Sequence, residues 1–192
     1  MTLDPPPDRL ADVAPAPPTT VLSTSEVDDH YRPVAMERNR DQFTRELLRE
    51  LTDVLEDAFG IEEAEGFVGL VGGRMGARMS REYREASSVE VLDRRQVAAA
   101  LVDLKRRIDG GFAIESIDDD RIVLTNTACP FGEYVVGRQS LCMMTSNVFG
   151  RVAADNLGYA RVELSDTIAS GSDGCRVIVH FSENGGGREY FG

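Results

Sequence analysis

Seven of the chain's eight prolines fall within its first 36 residues, among them Pro5-Pro6-Pro7 and Pro17-Pro18. Proline removes a backbone donor, and the apolar residues between these prolines show no period. Residues 1–36 therefore read as a disordered tail. His30, beside Tyr31, lies in it and reads as a solvated side chain. Any fold must come from the residues beyond this tail. With 192 residues in all, there is room for one domain, expected over 37–182. The last stretch, 183–192, carries Gly185-Gly186-Gly187 and is expected to fray.

Beyond the prolines the apolar spacing is helical at first. Phe43, Leu47, Leu48, Leu51, Val54, Leu55 and Ala58 recur at three- and four-residue steps up to Gly60. This predicts an amphipathic helix whose wide apolar face packs on a core or on a partner subunit. Residues 62–85 keep helical spacing through Phe67, Val68, Leu70, Val71, Met75, Met79 and Tyr83, despite glycines at 66, 69, 72, 73 and 76. No Gly-Lys-Ser/Thr follows, so this run is a close-packing helix rather than a phosphate loop. A third helix spans Val89 to Ile108, with Val91, Val97, Leu101, Leu104 and Ile108 on its apolar side; Gly110-Gly111 stops it. Lys105-Arg106-Arg107 reads as part of its solvated face.

The pattern then changes to strands. Two β-type runs, 112–117 and 121–127, flank Asp118-Asp119-Asp120, which serves as a polar turn rather than a cation site. Ser140 is placed to cap a helix from Leu141 to Leu157, stopped by Gly158. A hairpin closes the domain. Arg161–Ile168 puts Val162, Leu164, Asp166 and Ile168 on one face, and Cys175–Phe181 puts Cys175, Val177, Val179 and Phe181 together. Helices followed by antiparallel strands predict an α+β fold, with helices packed on an antiparallel sheet.

The chemistry collects in the chain's only three cysteines, Cys129, Cys142 and Cys175. Pro130 holds Cys129 extended at a strand exit. Cys142 falls in the first helical turn, where the helix dipole favours thiolate. Cys175 opens a strand facing inward. Asp166 is a carboxylate on an otherwise apolar face, and a buried carboxylate needs a partner such as a metal. His180, on the other face of its strand, is a poorer candidate. The spacing is not that of a zinc knuckle.

The formal net charge of −12 disfavours direct nucleic-acid binding. No basic-then-apolar leader and no membrane-length apolar run are present, so a cytoplasmic protein with no membrane partner is expected. In that reducing setting, grouped thiols are more often ligands or redox groups than disulfides.

Cys129-Pro130-Phe131-Gly132, Leu141-Cys142-Met143-Met144-Thr145-Ser146-Asn147-Val148-Phe149-Gly150, Asn156-Leu157-Gly158-Tyr159-Ala160 and Gly171-Ser172-Asp173-Gly174-Cys175-Arg176-Val177 together resemble the methanogen output domain family of prokaryotic signalling proteins. They are also similar to the C-terminal half of iron–sulfur-responsive ArsR/DeoR-type repressors. More distantly, they are similar to 4-vinyl-reductase-like sensor domains, whose fold is an α/β sandwich with a metal site. The resemblance implies a sensory or regulatory domain in signal transduction that holds an iron–sulfur cluster, or zinc, on Cys129, Cys142 and Cys175. Relatives often carry a further cysteine where this chain has Thr167, so the resemblance implies a non-cysteine fourth ligand, for example Asp166 or Glu163, or an open position. The repressors' winged helix-turn-helix has no room before Phe43, so a regulatory protein partner or a homodimer is expected instead. Two alternatives stand beside this. One is a metal-free module that binds a small molecule or a protein. The other is an enzyme, a reductase or a hydrolase with Cys142 as nucleophile. No base for Cys142 is evident, so catalysis is not expected.

Overall fold

The computed structural model describes Ser23, Ser25 and residues 38–192. The expectations for the proline-rich tail and for His30 lie outside the described residues. The fold is that of the unit Arg38–Gly192. Four helices, α1 (Arg40–Phe59), α2 (Ile61–Ser87), α3 (Arg94–Arg106) and α4 (Cys142–Leu157), accompany five strands. The strands are β1 (Ala113–Ile117), β2 (Arg121–Asn126), β3 (Tyr159–Asp166), β4 (Cys175–His180) and β5 (Arg188–Phe191). They form one antiparallel sheet in the order β1-β2-β4-β3-β5. The fold is therefore α+β, as the change of period along the sequence predicts. Among the described residues no helix is long and apolar enough to cross a membrane.

Local chemistry sets the helix starts. Asn39 caps α1 in a reciprocal box with Gln42, and Asp93 does the same for α3 with Gln96. The third helix thus begins at Arg94 rather than Val89, and Val91 is exposed in the preceding turn. The run 62–85 is helical throughout, and its glycines explain how. A Cβ on Gly72 would lie 2.9 Å from Asn147 Cβ. One on Gly76 would lie 2.8 Å from Arg151 Cβ and 3.1 Å from Val148 Cα. The missing side chains let α2 settle directly on α4.

The core lies between this helical layer and the inner face of the sheet. Leu101 of α3 and Phe149 and Val152 of α4 meet Ile122, Leu124, Val162, Val177 and Val179. The alternation in β4 is as expected, with Cys175 and Phe181 packed against the same core. The chain end is not frayed. Strand β5 pairs with β3, and Tyr190 lies against Gly150, where any side chain on the helix would collide with the ring. The Tyr190 and Ser146 hydroxyls are 2.8 Å apart. Glycines at 185–187 form the turn that brings β5 back, so glycine content here marks a turn and not an end of order.

These close approaches carry opposite expectations for two glycines one turn apart. Gly76→Ala should lower stability by about 1–3 kcal/mol, because the new methyl meets backbone and Arg151. Gly73 has nothing within 4 Å, so Gly73→Ala should raise stability by about 0.5–1 kcal/mol. Urea denaturation of the two variants checks both signs.

Candidate functional site

Strand β2 ends at Asn126, paired in register with Cys175 at the start of β4. The Asn126 amide accepts from the Cys175 N–H (2.8 Å) and donates to the carbonyls of Gly110 (3.0 Å) and Ala128 (2.6 Å). Those three bonds fix β4, the turn after α3 and the loop carrying Cys129 around one point. The start of α4 supplies Cys142. All three cysteines are free thiols and line one pocket.

The sequence pattern did not point to the residue at its centre. Lys105, assigned from the sequence to a solvated face, is only 5% exposed. Its ammonium donates to Thr145 Oγ1 at 2.7 Å and lies 5.4 Å and 5.3 Å from the ring centroids of Phe112 and Phe149. The ring faces offset part of the cost of burying the charge. A signal was available: Val97, Leu101 and Lys105 follow one another at four-residue steps along the buried stripe. Ile108, expected on that stripe, is exposed instead.

Burial pushes the Lys105 ammonium down to about 8, although the three nearby thiols pull in the other direction. Burial also pushes the Cys142 thiol up to about 12, with Cys175 and Cys129 adding to the effect and the Thr167 hydroxyl opposing it. Cys129 is raised for the same leading reason. The expected Cys142 thiolate is thus corrected. A 3-10 turn, Gln139–Leu141, runs straight into α4, and the Cys142 N–H is used by the carbonyls of Gln139 and Ser140. The free donors of a helix start are therefore not at the thiol. Ser140 does not cap α4; its hydroxyl donates to Glu56 at 2.5 Å.

Asp166 is exposed and does not line the pocket. A bulge between Leu164 and Asp166 breaks the strict alternation that put it on the inner face, and Asp166 instead stands opposite Arg176. Thr167 is the residue that reaches the pocket wall. Glu163 pairs with His180 at 3.1 Å, away from the thiols. Among the described residues, no group of three or more His, Cys, Asp or Glu side chains is placed to hold a metal ion. The cysteines share a pocket but are not gathered at ligand spacing.

The pocket has about 420 Å³ including its open mouth. Phe112, Phe131, Val135, Leu141, Leu164, Ile168 and Val177 make it largely apolar, and no carboxylate lines it. Apolar walls with a few convergent polar groups and perturbed titratable residues are the usual marks of a ligand site.

Three comparisons with known proteins bear on this arrangement. The model of the family methanogen output domain 1 matches residues 47–180. No curated protein matches the sequence. Among solved structures, the chain is similar to a trafficking protein particle complex subunit 3 from Naegleria fowleri that is covalently bound to palmitic acid. The sequence identity is 16% and the TM-score 0.51, with 74% of this chain and 97% of that chain covered. At that identity the likeness is one of fold.

The buried ammonium has a measurable pH signature. The Lys105 pKa is lower in the folded than in the unfolded chain, so its penalty is fully present below pH 8. It is relieved as pH rises from about 8 toward 10.5, the ordinary lysine value, and amounts to about 3 kcal/mol. The raised Cys142 thiol has the opposite sign, losing stability as pH climbs from 9 toward about 12. The difference between wild type and Lys105→Met isolates the lysine. That variant should be more stable by about 2 kcal/mol at pH 7, and its advantage should shrink by pH 10, read by urea denaturation under reducing conditions.

Proposed function

We propose, on the premise that this chain belongs to the methanogen output domain 1 family, that it is a regulatory domain of signal transduction whose input is a small acidic ligand bound at Lys105. The family supports the signalling role. The observation that carries the ligand is the buried Lys105 ammonium in a pocket without a carboxylate. A buried cation lacking an anion is costly, and an incoming carboxylate or similar group would pair with it. Thr145, Thr167 and Asn126 stand around the pocket as polar neighbours, and the aromatic and aliphatic walls suit an apolar tail at the mouth. That the Naegleria fowleri subunit of this fold is covalently bound to palmitic acid makes an acyl chain a reasonable first probe. The role is binding and not catalysis, since a thiol raised to about 12 is a poor nucleophile at neutral pH.

A second reading rests on the convergence of Cys129, Cys142 and Cys175 on one cavity: an iron–sulfur cluster or zinc held by the three. Thiolates suit soft metals. As the side chains stand they do not fit a ligand sphere: burial holds Cys142 and Cys129 protonated and the three are not at ligand spacing, so this reading requires the pocket to close around the metal.

Thermal shift and calorimetry with decanoate and with decanol separate these readings. Binding of decanoate but not of decanol, weakened ~10–100-fold by Lys105→Met, is the expected result. Equal binding of both, or none, would sink the acidic-ligand reading. Stoichiometric iron and sulfide, or zinc, in protein purified without oxygen, lost in each Cys→Ser variant, would establish the second reading instead. Intact mass reads any acyl group attached to a thiol.

A further inference from the structure

Helix α1 is turned the wrong way round for a helix that serves only its own domain. The side it presents inward is held largely by polar groups, with half-buried Leu48 and Leu55 beside them. Arg49 donates to the carbonyls of Tyr134 (2.7 Å) and Val136 (2.9 Å). Asp53 and Glu56 both pair with Arg138, and Glu56 also takes the Ser140 hydroxyl. Thr52 is the helix's one fully buried residue. On the opposite side, Phe43, Leu47, Leu51 and Val54 are 53% to 63% exposed. At 100° per residue they fall within a stripe about 80° wide. The expected amphipathic helix is present, but only Leu48 and Leu55 of its apolar residues turn toward the domain, and the stripe stays more than half exposed. The polar links prevent the helix from rolling over to hide it.

We propose that this stripe is the seam of a homodimer, with α1 of two copies packed antiparallel across a two-fold axis. The stripe is complementary to itself in that arrangement. Its midpoint lies between Leu48 and Arg49, and reflection about it exchanges Phe43 with Val54. The same reflection sets exposed Arg40 against exposed Asp57 of the second copy, so opposite charges meet at both ends. A parallel pairing would put Arg40 against Arg40. A two-fold seam needs this self-complementarity, whereas a foreign partner does not.

The available area also fits. Five further large apolar side chains lie exposed between Phe59 and Val71, where the Phe59 and Phe67 rings are in contact at 5.9 Å. With the four of the stripe they amount to roughly 900 Å² per copy at ~100 Å² each, against the ~800 Å² per partner of a stable interface. Exposed apolar surface of this extent is unusual on a monomer.

Sedimentation velocity on the full chain at micromolar concentration tests this. The wild type should be a dimer. Leu47→Glu with Leu51→Glu should raise the dissociation constant ~100-fold or more, with unchanged far-UV circular dichroism, because both side chains are more than half exposed on the domain. Arg40→Glu should weaken the dimer at low salt, and adding Asp57→Arg should restore it. Leu47→Cys, near the axis, should cross-link to itself under mild oxidation, while Glu82→Cys on α2 should not. A monomeric wild type would overturn the proposal, whether residues 1–37 or another protein covers the stripe. So would a dimer indifferent to both glutamates. Failure of the charge exchange to restore association would overturn the antiparallel seam. None of these readouts involves Lys105, so the outcome is independent of the ligand proposed for the pocket.

Discussion

The Asn126 side chain commits both of its N–H donors and its carbonyl oxygen to backbone, taking the Cys175 N–H and giving to the carbonyls of Gly110 and Ala128. Each bond reaches a different segment, and each segment carries a pocket residue: β4 brings Cys175, the turn after α3 lies just beyond Lys105, and the loop after β2 brings Cys129. A buried amide paired in this way locks geometry more tightly than apolar packing, because any displacement leaves polar groups without partners. Gly174 belongs to the same constraint, since a Cβ there would run into the Asn126 carbonyl. Thiol placement is a consequence of this backbone knot.

Once the knot is closed, Lys105 is almost wholly withdrawn from water. Its neighbours are two aromatic faces, a threonine hydroxyl and three thiols, of which burial holds Cys142 and Cys129 protonated. Those thiols could lower the cost of the charge only by ionising, and burial opposes that for Cys142 and Cys129. The result is a positive centre in a largely apolar pocket. Such an arrangement favours an anion from outside over a reactive thiol within.

Much of this was legible in the sequence because period and punctuation agree with the fold. The helical spacing through the glycines of 62–85, the stop at Gly110, the Asp118 turn and the alternation of Cys175–Phe181 each have a local cause that the structure retains. Asp118 accepts from the backbone of Asp120 and Arg121, which is turn chemistry and not cation binding. What escaped had non-local causes. The bulge that turns Asp166 outward depends on pairing with β4, and no residue in β3 announces it. Strand β5 was hidden because its order comes from Gly150 making room for Tyr190, forty residues away. Lys105 was misplaced by a rule that charged residues face water, although its helical step placed it beneath Leu101. The convergence of the cysteines was visible as a resemblance; the cation between them was not.

The pocket and the exposed stripe are two sides of one layer. The segment from Phe131 to Leu141 contributes Phe131, Val135 and Leu141 to the pocket wall. Its outer surface, the carbonyls of Tyr134 and Val136 with the side chains of Arg138 and Ser140, is gripped by Arg49, Asp53 and Glu56 of α1. Helix α1 in turn carries the apolar stripe on its far side. For one site to influence another, some element must touch both and be able to take two positions. The contacts supply the first requirement with a single intervening helix. The pocket bears on the second, because an occupant that fills it lies against the Phe131, Val135 and Leu141 wall whose outer side α1 holds. Binding that moves the wall has to strain or release those polar links, and linkage makes any effect on the stripe reciprocal.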